Sequence, residues 1–366
     1  MKVTVADPMP ATESEAAIEV QTLSAPRREE RRRPMLHVHG GTALIEKLSR
    51  AALRGEFLSW TEVLCLGPTP AGLSPRKWLD IRTRFLDRHF VPPGETSSGP
   101  GLEAQERTLR RFGEHDEVVL WFGPDLYCQA LLAYLLDWFG SRYLGDTRLS
   151  LVLVTEHADA PQCRSCTPAF LSPESLRAAF DARQPVTEKV LALGARAWAA
   201  ITAPKPLELQ ALATHETPEL PPLRAALARH LLEFPFVAGG TSFTERTVLD
   251  LLADESDHEL ARLYPAFQEH EERQWLTDGA FLVALERMAA GRVPLIEVAG
   301  AQRGFHGPLP GRARIMPAGA RVHAGEWDWI ARAGVDRWVG GVHLKGREAA
   351  WRWDGVAAAP RAMRVP

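Results

Sequence analysis

Apolar positions first fall into a regular pattern at Met35-Leu36-His37-Val38-His39, a run that meets Gly40-Gly41-Thr42 and passes into Ala43, Leu44, Leu48, Ala51 and Leu53. A run of strand length, a glycine pair and a helical spacing predict strand, tight turn and helix in that order. A second strand is predicted over Glu56-Phe57-Leu58-Ser59-Trp60, with Val63-Leu64 and the turn signals Gly67-Pro68 and Pro70 behind it. The third, Glu117-Val118-Val119-Leu120-Trp121-Phe122, is apolar throughout after its first position, as a strand buried on both faces should be. Gly123-Pro124-Asp125 and an apolar helix from Leu126 to Phe139 follow, and Leu149 to Val154 supply a fourth strand after Gly145-Asp146. Strands alternating with helices predict an α/β fold with a mainly parallel, Rossmann-like sheet over residues 35–170.

From Ser172 the spacing turns helical through Leu176, Phe180, Val190, Leu193, Trp198, Leu223, Leu227 and Leu231, which predicts a helical unit over 171–238. Ser242-Phe243-Thr244-Glu245 then offers a capped helix start, Leu260 and Leu263 a second short helix, and Phe281, Leu282, Leu285 and Met288 a third. Pro294 to Val298 and Arg314 to Gly319 predict a hairpin and the start of another helix. Three helices followed by a hairpin is the order of a winged helix, so residues 239–366 are expected to form a winged-helix-like α+β domain. Residues 1–34 carry Pro, Ala, Ser, Thr and charges without a sustained period and are expected to be a disordered tail. Pro92 to Gly101 reads as a surface loop.

Composition changes this picture little. A chain of 366 residues exceeds the size at which one core stops growing, and 45% hydrophobic with 24% charged residues is ordinary for a folded protein. The formal net charge of −3 draws the whole molecule to neither nucleic acid nor an anionic membrane, so any such binding needs a local patch. Four cysteines are too few for a disulfide scaffold and fit a reducing compartment, so a cytoplasmic, soluble protein is expected. Neither a secretory h-region nor a run of membrane-spanning length is legible.

In an open parallel sheet, ligands bind at the carboxyl ends of the strands, where loops and helix amino termini converge. That rule selects His37, His39, Gly40, Gly41 and Thr42 after the first strand, Trp60 and Glu62 after the second, and Asp125 and Gln129 after the third, with Arg84 near the same cleft. His37 with Glu62 and Asp125 could do general acid–base work, the others binding the ligand. Each has a plainer reading. Asp125 stands where a helix cap is needed, His37 could be a hydrogen-bonded core histidine, and Trp60 and Trp121 could be core. Gly40-Gly41 lacks the spaced glycines of a dinucleotide fingerprint and the lysine of a phosphate loop. Cys163-Arg164-Ser165-Cys166 has half the spacing of a zinc site, and His157 is one more donor, but no second cysteine pair follows and no bound metal is expected. No cofactor is specified.

At these positions the chain resembles the uncharacterised bacterial family called domain of unknown function 1835, in which a His-bearing strand ending in Gly-Asp is followed by Trp-x-Asp-x-Leu-x-x-Gly-Pro, a Leu-Trp-Phe strand, an Asp and a Gln. His37, Gly41, Trp60, Leu64, Gly67, Pro68, Leu120-Trp121-Phe122, Asp125 and Gln129 match, whereas Thr42 and Glu62 stand where Asp is expected. Arg183-Gln184-Pro185-Val186-Thr187, Trp198, Leu231, Glu233-Phe234-Pro235 and Arg337 to Leu344 resemble long members, so the likeness spans most of 35–354. The resemblance implies no established reaction. Loss of a carboxylate at Thr42 implies a different ligand or an inactive site.

Three functions compete: a small-molecule-binding or enzymatic α/β domain, a nucleic-acid-reading regulator, and a protein-interaction module. Arg303, Arg312, Arg314 and Arg321, with no acid between Val298 and Gly325, suit a phosphate-contacting wing. The acidic run Asp254, Glu255, Asp257, Glu259, Glu269, Glu271 and Glu272 would repel a duplex, which disfavours DNA and favours a protein partner. A site for an unknown small molecule is expected to be the principal function, with no membrane partner.

Overall fold

β1 (Met35–Gly40) is an inner strand of the first layer, and its alternation decides what each neighbour can touch. In the computed structural model, which describes residues 33–41, 43–156, 167–303 and 308–362, it leads through α1 (Leu44–Arg50) into β2 (Glu56–Trp60). The chain then forms α2 (Pro75–His89), capped by the Ser74 hydroxyl on the Lys77 amide with Pro75 at the first turn, and α3 (Gly99–Arg110). Glycine and proline in Gly99-Pro100-Gly101 thus begin a helix, within the stretch expected to be a loop, because proline is tolerated where no intrahelical donor is needed.

β3 (Glu117–Phe122) is buried at all six positions, as its apolar run predicts. α4 (Leu126–Gly140) follows under an Asp125 cap and is buried at eleven of its fifteen positions, so it is sandwiched rather than amphipathic. β4 (Arg148–Leu153), α5 (Pro173–Asp181), β5 (Gln184–Pro185) and α6 (Glu188–Thr202) complete the layer. The strand order is β2-β1-β3-β4-β5, with β1 to β4 parallel and β5 an antiparallel edge. One face of the sheet (Leu36, Val38, Leu58, Trp60, Val118, Leu120, Phe122) packs toward α4 and α6. The other (Val119, Trp121, Val152, Val154) packs on Leu44 and Leu48 of α1 and Leu176 and Phe180 of α5.

α7 (Leu207–Thr214) and α8 (Leu223–Leu231) form the expected helical stretch with α6. α9 (Phe243–Leu251) starts in a complete capping box between Ser242 and Glu245. Next come β6 (His258–Glu259), α10 (Leu260–Gln268), α11 (Asp278–Ala289), β7 (Ile296–Ala299) and β8 (Arg312–Ile315), the strands forming an antiparallel sheet in the order β6-β8-β7. α12 (Pro317–His323) and α13 (Trp329–Ala333) precede two hairpins, β9 (Val335–Val339) with β10 (Val342–Gly346) and β11 (Trp351–Asp354) with β12 (Ala359–Ala362).

From Pro34 onward the described chain is one compact unit, and its main core runs continuously from Leu36 to Trp353 across the boundaries expected near 171 and 239. The Gly340-Gly341 turn makes this seam: Gly340 accepts from the Thr69 amide at 3.1 Å and the Gly341 amide donates to Ile201 at 2.8 Å. Gly340 has φ +59°, and a Cβ there would meet the Ile201 carbonyl oxygen at 2.2 Å, so only glycine gives this approach. Among the described residues no helix is long and apolar enough to cross a membrane.

Candidate functional site

The expected cleft is split by the sheet itself. His37 points away from Trp60 and Glu62, onto the α1/α5 face, where it stacks on Phe57 at 5.1 Å beside Phe180 and is fully buried. Its Nδ1 accepts from Trp121 Nε1 at 3.1 Å. An indole nitrogen can only donate, so Nε2 carries the proton and faces the Arg54 carbonyl at 3.4 Å. Burial holds this ring neutral by lowering its pKa to about 4. His37 is therefore a core histidine and not an acid–base group of the cleft, because residues 37 and 60 have opposite parity across adjacent strands. His39 shares that parity, is fully buried, and its ring nitrogens have no hydrogen-bond partner among the described residues.

The glycine turn is closed rather than open. The Gly41 amide donates to the Trp60 carbonyl at 3.1 Å, the Ser59 hydroxyl donates to the Gly41 carbonyl, and Tyr127 donates to the Trp60 carbonyl at 3.2 Å. The Tyr127 ring covers Gly40 so closely that a Cβ there would meet it at 2.8 Å. Thr42 lies outside the described residues, as do His157, Cys163 and Cys166. Asp125 Oδ1 accepts from the Cys128 amide at 3.0 Å, the capping role weighed from sequence, while Oδ2 is buried without a partner among the described residues. Burial raises the Asp125 carboxyl above the usual range. Gln129 donates to the Gly123 carbonyl at 2.7 Å and so braces the same loop.

Glu62 is brought instead to a cavity on the α4/α6 face, together with Trp60. Its carboxylate accepts from Arg82 Nε at 2.5 Å, and the Arg82 guanidinium also donates to the carbonyls of Val63, Leu66 and Pro68 at 2.8, 2.8 and 3.2 Å. One buried arginine thus holds the loop after β2, and Glu62 neutralises it. Arg84, the arginine singled out from sequence, is exposed on α2, donates to the Asp80 carbonyl at 3.1 Å and does not line this cavity. Helical phase carries the distinction: Trp78, Arg82 and Leu86 recur every four residues on the inward stripe, and Arg84 falls about 200° from Arg82.

The cavity is about 1050 Å³. Four rings form one wall in sequence of contact: Trp60 to Tyr134 at 5.5 Å, Tyr134 to Trp198 at 5.3 Å and Trp198 to Trp78 at 5.8 Å, the last two edge to face. The Trp60 indole N–H is buried with no partner among the described residues. Glu106 accepts from Trp138 at 3.2 Å and from Arg110 at 3.1 Å. Asp137, half-buried on α4, has its carboxyl raised by burial, against which Arg142 acts. Aromatic faces beside a half-buried carboxyl are suited to binding a planar ring with a donor group.

The candidate nucleic-acid surface is spent internally. Arg312 pairs with Asp257 at 2.5 Å and Glu259 at 3.3 Å, Arg314 with Glu297 at 2.5 Å and Arg303 with Glu286 at 2.6 Å. Arg321 lies 4.8 Å over the Trp327 ring. Arg312 thus bonds the basic stretch to Asp257 and Glu259 of the acidic run, expected to oppose each other toward a duplex, while Arg303 and Arg314 are held by Glu286 and Glu297 outside that run. No residue of α11 is exposed, and Ala280 to Leu285 are buried without a break.

No family model matches the sequence, and no curated protein is similar to it. Among the described residues no group of three or more His, Cys, Asp or Glu side chains is arranged to hold a metal ion.

Glu62→Ala leaves the Arg82 charge uncompensated and should cost about 3 to 5 kcal/mol, and Glu62→Leu combined with Arg82→Met should not recover it, because the carbonyls of Val63, Leu66 and Pro68 then lose their donor. Urea unfolding of the single and double variants measures this; a double variant as stable as the parent chain would show that Arg82 does not hold the loop. His37 and His230 are both buried with pKa lowered to about 4 from 6.5. As pH falls below about 6.5 the unfolded chain binds protons that the fold refuses, so stability drops toward pH 4 by on the order of 3 kcal/mol for each histidine. Stability that stays flat between pH 6.5 and 5, or imidazole resonances titrating near 6.5, would contradict that assignment.

Proposed function

We propose that this protein binds a planar, ring-bearing small molecule in the aromatic cavity beside the carboxyl end of β2, and that the cavity, rather than the glycine turn, is the polar cleft of a Rossmann-like α/β layer. The observation that carries the reading is the continuous wall Trp60, Tyr134, Trp198 and Trp78 in one cavity with a half-buried Asp137 carboxyl that forms no ion pair among the described residues. A ligand donor or cation placed against Asp137 would relieve its desolvation, and ring stacking would supply the rest. The proposal is compatible with membership of the domain of unknown function 1835 family and with a cytoplasmic setting, both inferred from sequence.

Indole rings with opposite side-chain charges test it. Quenching of intrinsic tryptophan fluorescence should give tryptamine an affinity about tenfold above indole-3-acetate, a difference of about 1.4 kcal/mol. Asp137→Asn should abolish the preference, and Trp198→Ala should weaken both ligands. Equal binding of the two, or binding indifferent to both substitutions, would reject the site.

For residues 239–315 we propose a winged-helix-like unit that serves as packing surface for protein rather than as a reader of DNA. The order helix, strand, two helices, hairpin, and the strand order β6-β8-β7, support the fold reading. α11 occupies the place of a groove-reading helix and has no exposed residue. Anisotropy with a labelled duplex should therefore show no submicromolar, salt-sensitive binding between about 50 and 200 mM salt. Such binding, lost on Arg312→Ala with Arg314→Ala, would reverse this reading.

A further inference from the structure

A second cavity of about 900 Å³ lies between α2, α11 and β9, away from the aromatic wall. Five arginines line it (Arg84, Arg88, Arg287, Arg303, Arg337) against three carboxylates, Glu233, Glu286 and Asp336. The carboxylates are engaged. Glu286 holds Arg303, Glu233 pairs with Arg229 outside the cavity at 2.8 Å, and Asp336 pairs with His343 at 2.7 Å. Arg287 and Arg337 share a single oxygen of Glu245, each at 2.9 Å, while the other Glu245 oxygen accepts from the Ser242 amide at 2.7 Å. With Arg229 these two face Glu233, Glu245 and Glu271, three charges of each sign, so the cavity's surplus positive charge sits on Arg84 and Arg88 at its rim.

Unused donors point the same way. Arg337 is only 10% exposed along its side chain, its Nη1 and Nη2 are bonded, and its Nε is buried without a partner among the described residues. His89 Nδ1 is likewise buried and unpartnered, and its pKa is lowered by burial and then by the Arg88 and Arg303 charges. Arg88 is exposed at the rim, and no hydrogen bond or ion pair of its guanidinium is formed among the described residues. The remaining wall is apolar, with Phe85, Leu276, Ala280, Val283 and Trp275.

We propose that this cavity binds an organic oxyanion, a carboxylate, phosphate ester or sulfonate carried on an apolar body. An oxyanion there would accept from the Arg84 and Arg88 guanidiniums at the rim and neutralise their charge, while its body lies along α11. The proposal is independent of the aromatic site and uses none of its residues.

The probe is 1-anilinonaphthalene-8-sulfonate, with neutral N-phenyl-1-naphthylamine as the matched control lacking the sulfonate. Saturable fluorescence enhancement is expected with the sulfonate, at least about tenfold tighter than with the control, and weakened as salt is raised. Arg88→Glu and Arg84→Glu, both at exposed positions, are the direct variants and should each weaken the sulfonate severalfold without moving the melting temperature, and Asp137→Asn in the other cavity should leave it unchanged. Displacement by hexyl phosphate or by hexanoate supports the site and assigns the head group. Equal affinity for the neutral control, indifference to both rim substitutions, or displacement by neither competitor would overturn it.

Discussion

A parallel sheet covered on both faces forces every side chain of its strands to commit to one layer, and the rest of this structure depends on that sorting. β3 is buried at every position, so its neighbours inherit a strict division between the α4/α6 face and the α1/α5 face. His37 and Trp60 stand at opposite parities of paired strands and are separated by the thickness of the sheet, although both lie near carboxyl ends. Chemistry that needs residues from both parities cannot be assembled within the strands. It must come from the loops beyond them, and here those loops are closed by Tyr127 and Arg82.

Buried arginines perform the second task, holding irregular backbone. Arg82 satisfies three carbonyls of the loop after β2, and Arg337 reaches the Glu233 carbonyl while sharing Glu245 with Arg287. A guanidinium suits this role because its rigid fan of donors meets several acceptors at once, where an ammonium would need water for the remainder. The cost is desolvation, which is met only if a carboxylate accompanies each arginine; Glu62, Glu245 and Glu271 are the companions. Where the match is complete, as at Arg82, the arrangement is structural. At Arg337 the match is incomplete, since Nε has no acceptor among the described residues.

The strands, the parallel order and the apolar α4 were legible because each depends on local period: two for strands, continuous apolarity for layers covered on both sides. The Asp125 cap was legible for the same reason, since a helix start is read within four residues. What could not be read was partner choice. Arg84 and Arg82 are equivalent in composition, and only the phase of α2 relative to Trp78 and Leu86 separates them. The pairing of Arg312 with Asp257 joins residues 55 positions apart through the β6–β8 register, so charges that seemed free along the chain are neutral in space. The aromatic wall escaped notice because Trp60, Trp78, Tyr134 and Trp198 come from four different elements.

The burial of α11 brings these threads together. A helix that reads a DNA groove must keep one face polar and exposed, and that face is normally supported by a core on the opposite side only. In α11 the six-residue run from Ala280 to Leu285 leaves no such face, and the side toward α2 carries the apolar wall of the second cavity instead. The same alternation of small and large apolar residues that would make a poor recognition helix makes a good lining, since Ala280 and Ala284 leave room while Phe281 and Leu285 fill the core behind. The short strand β6 and the β7–β8 hairpin then need no phosphate to balance their arginines, because Asp257, Glu259 and Glu297 already do so. Positive charge is left over instead at Arg84 and Arg88, at the mouth of the second cavity.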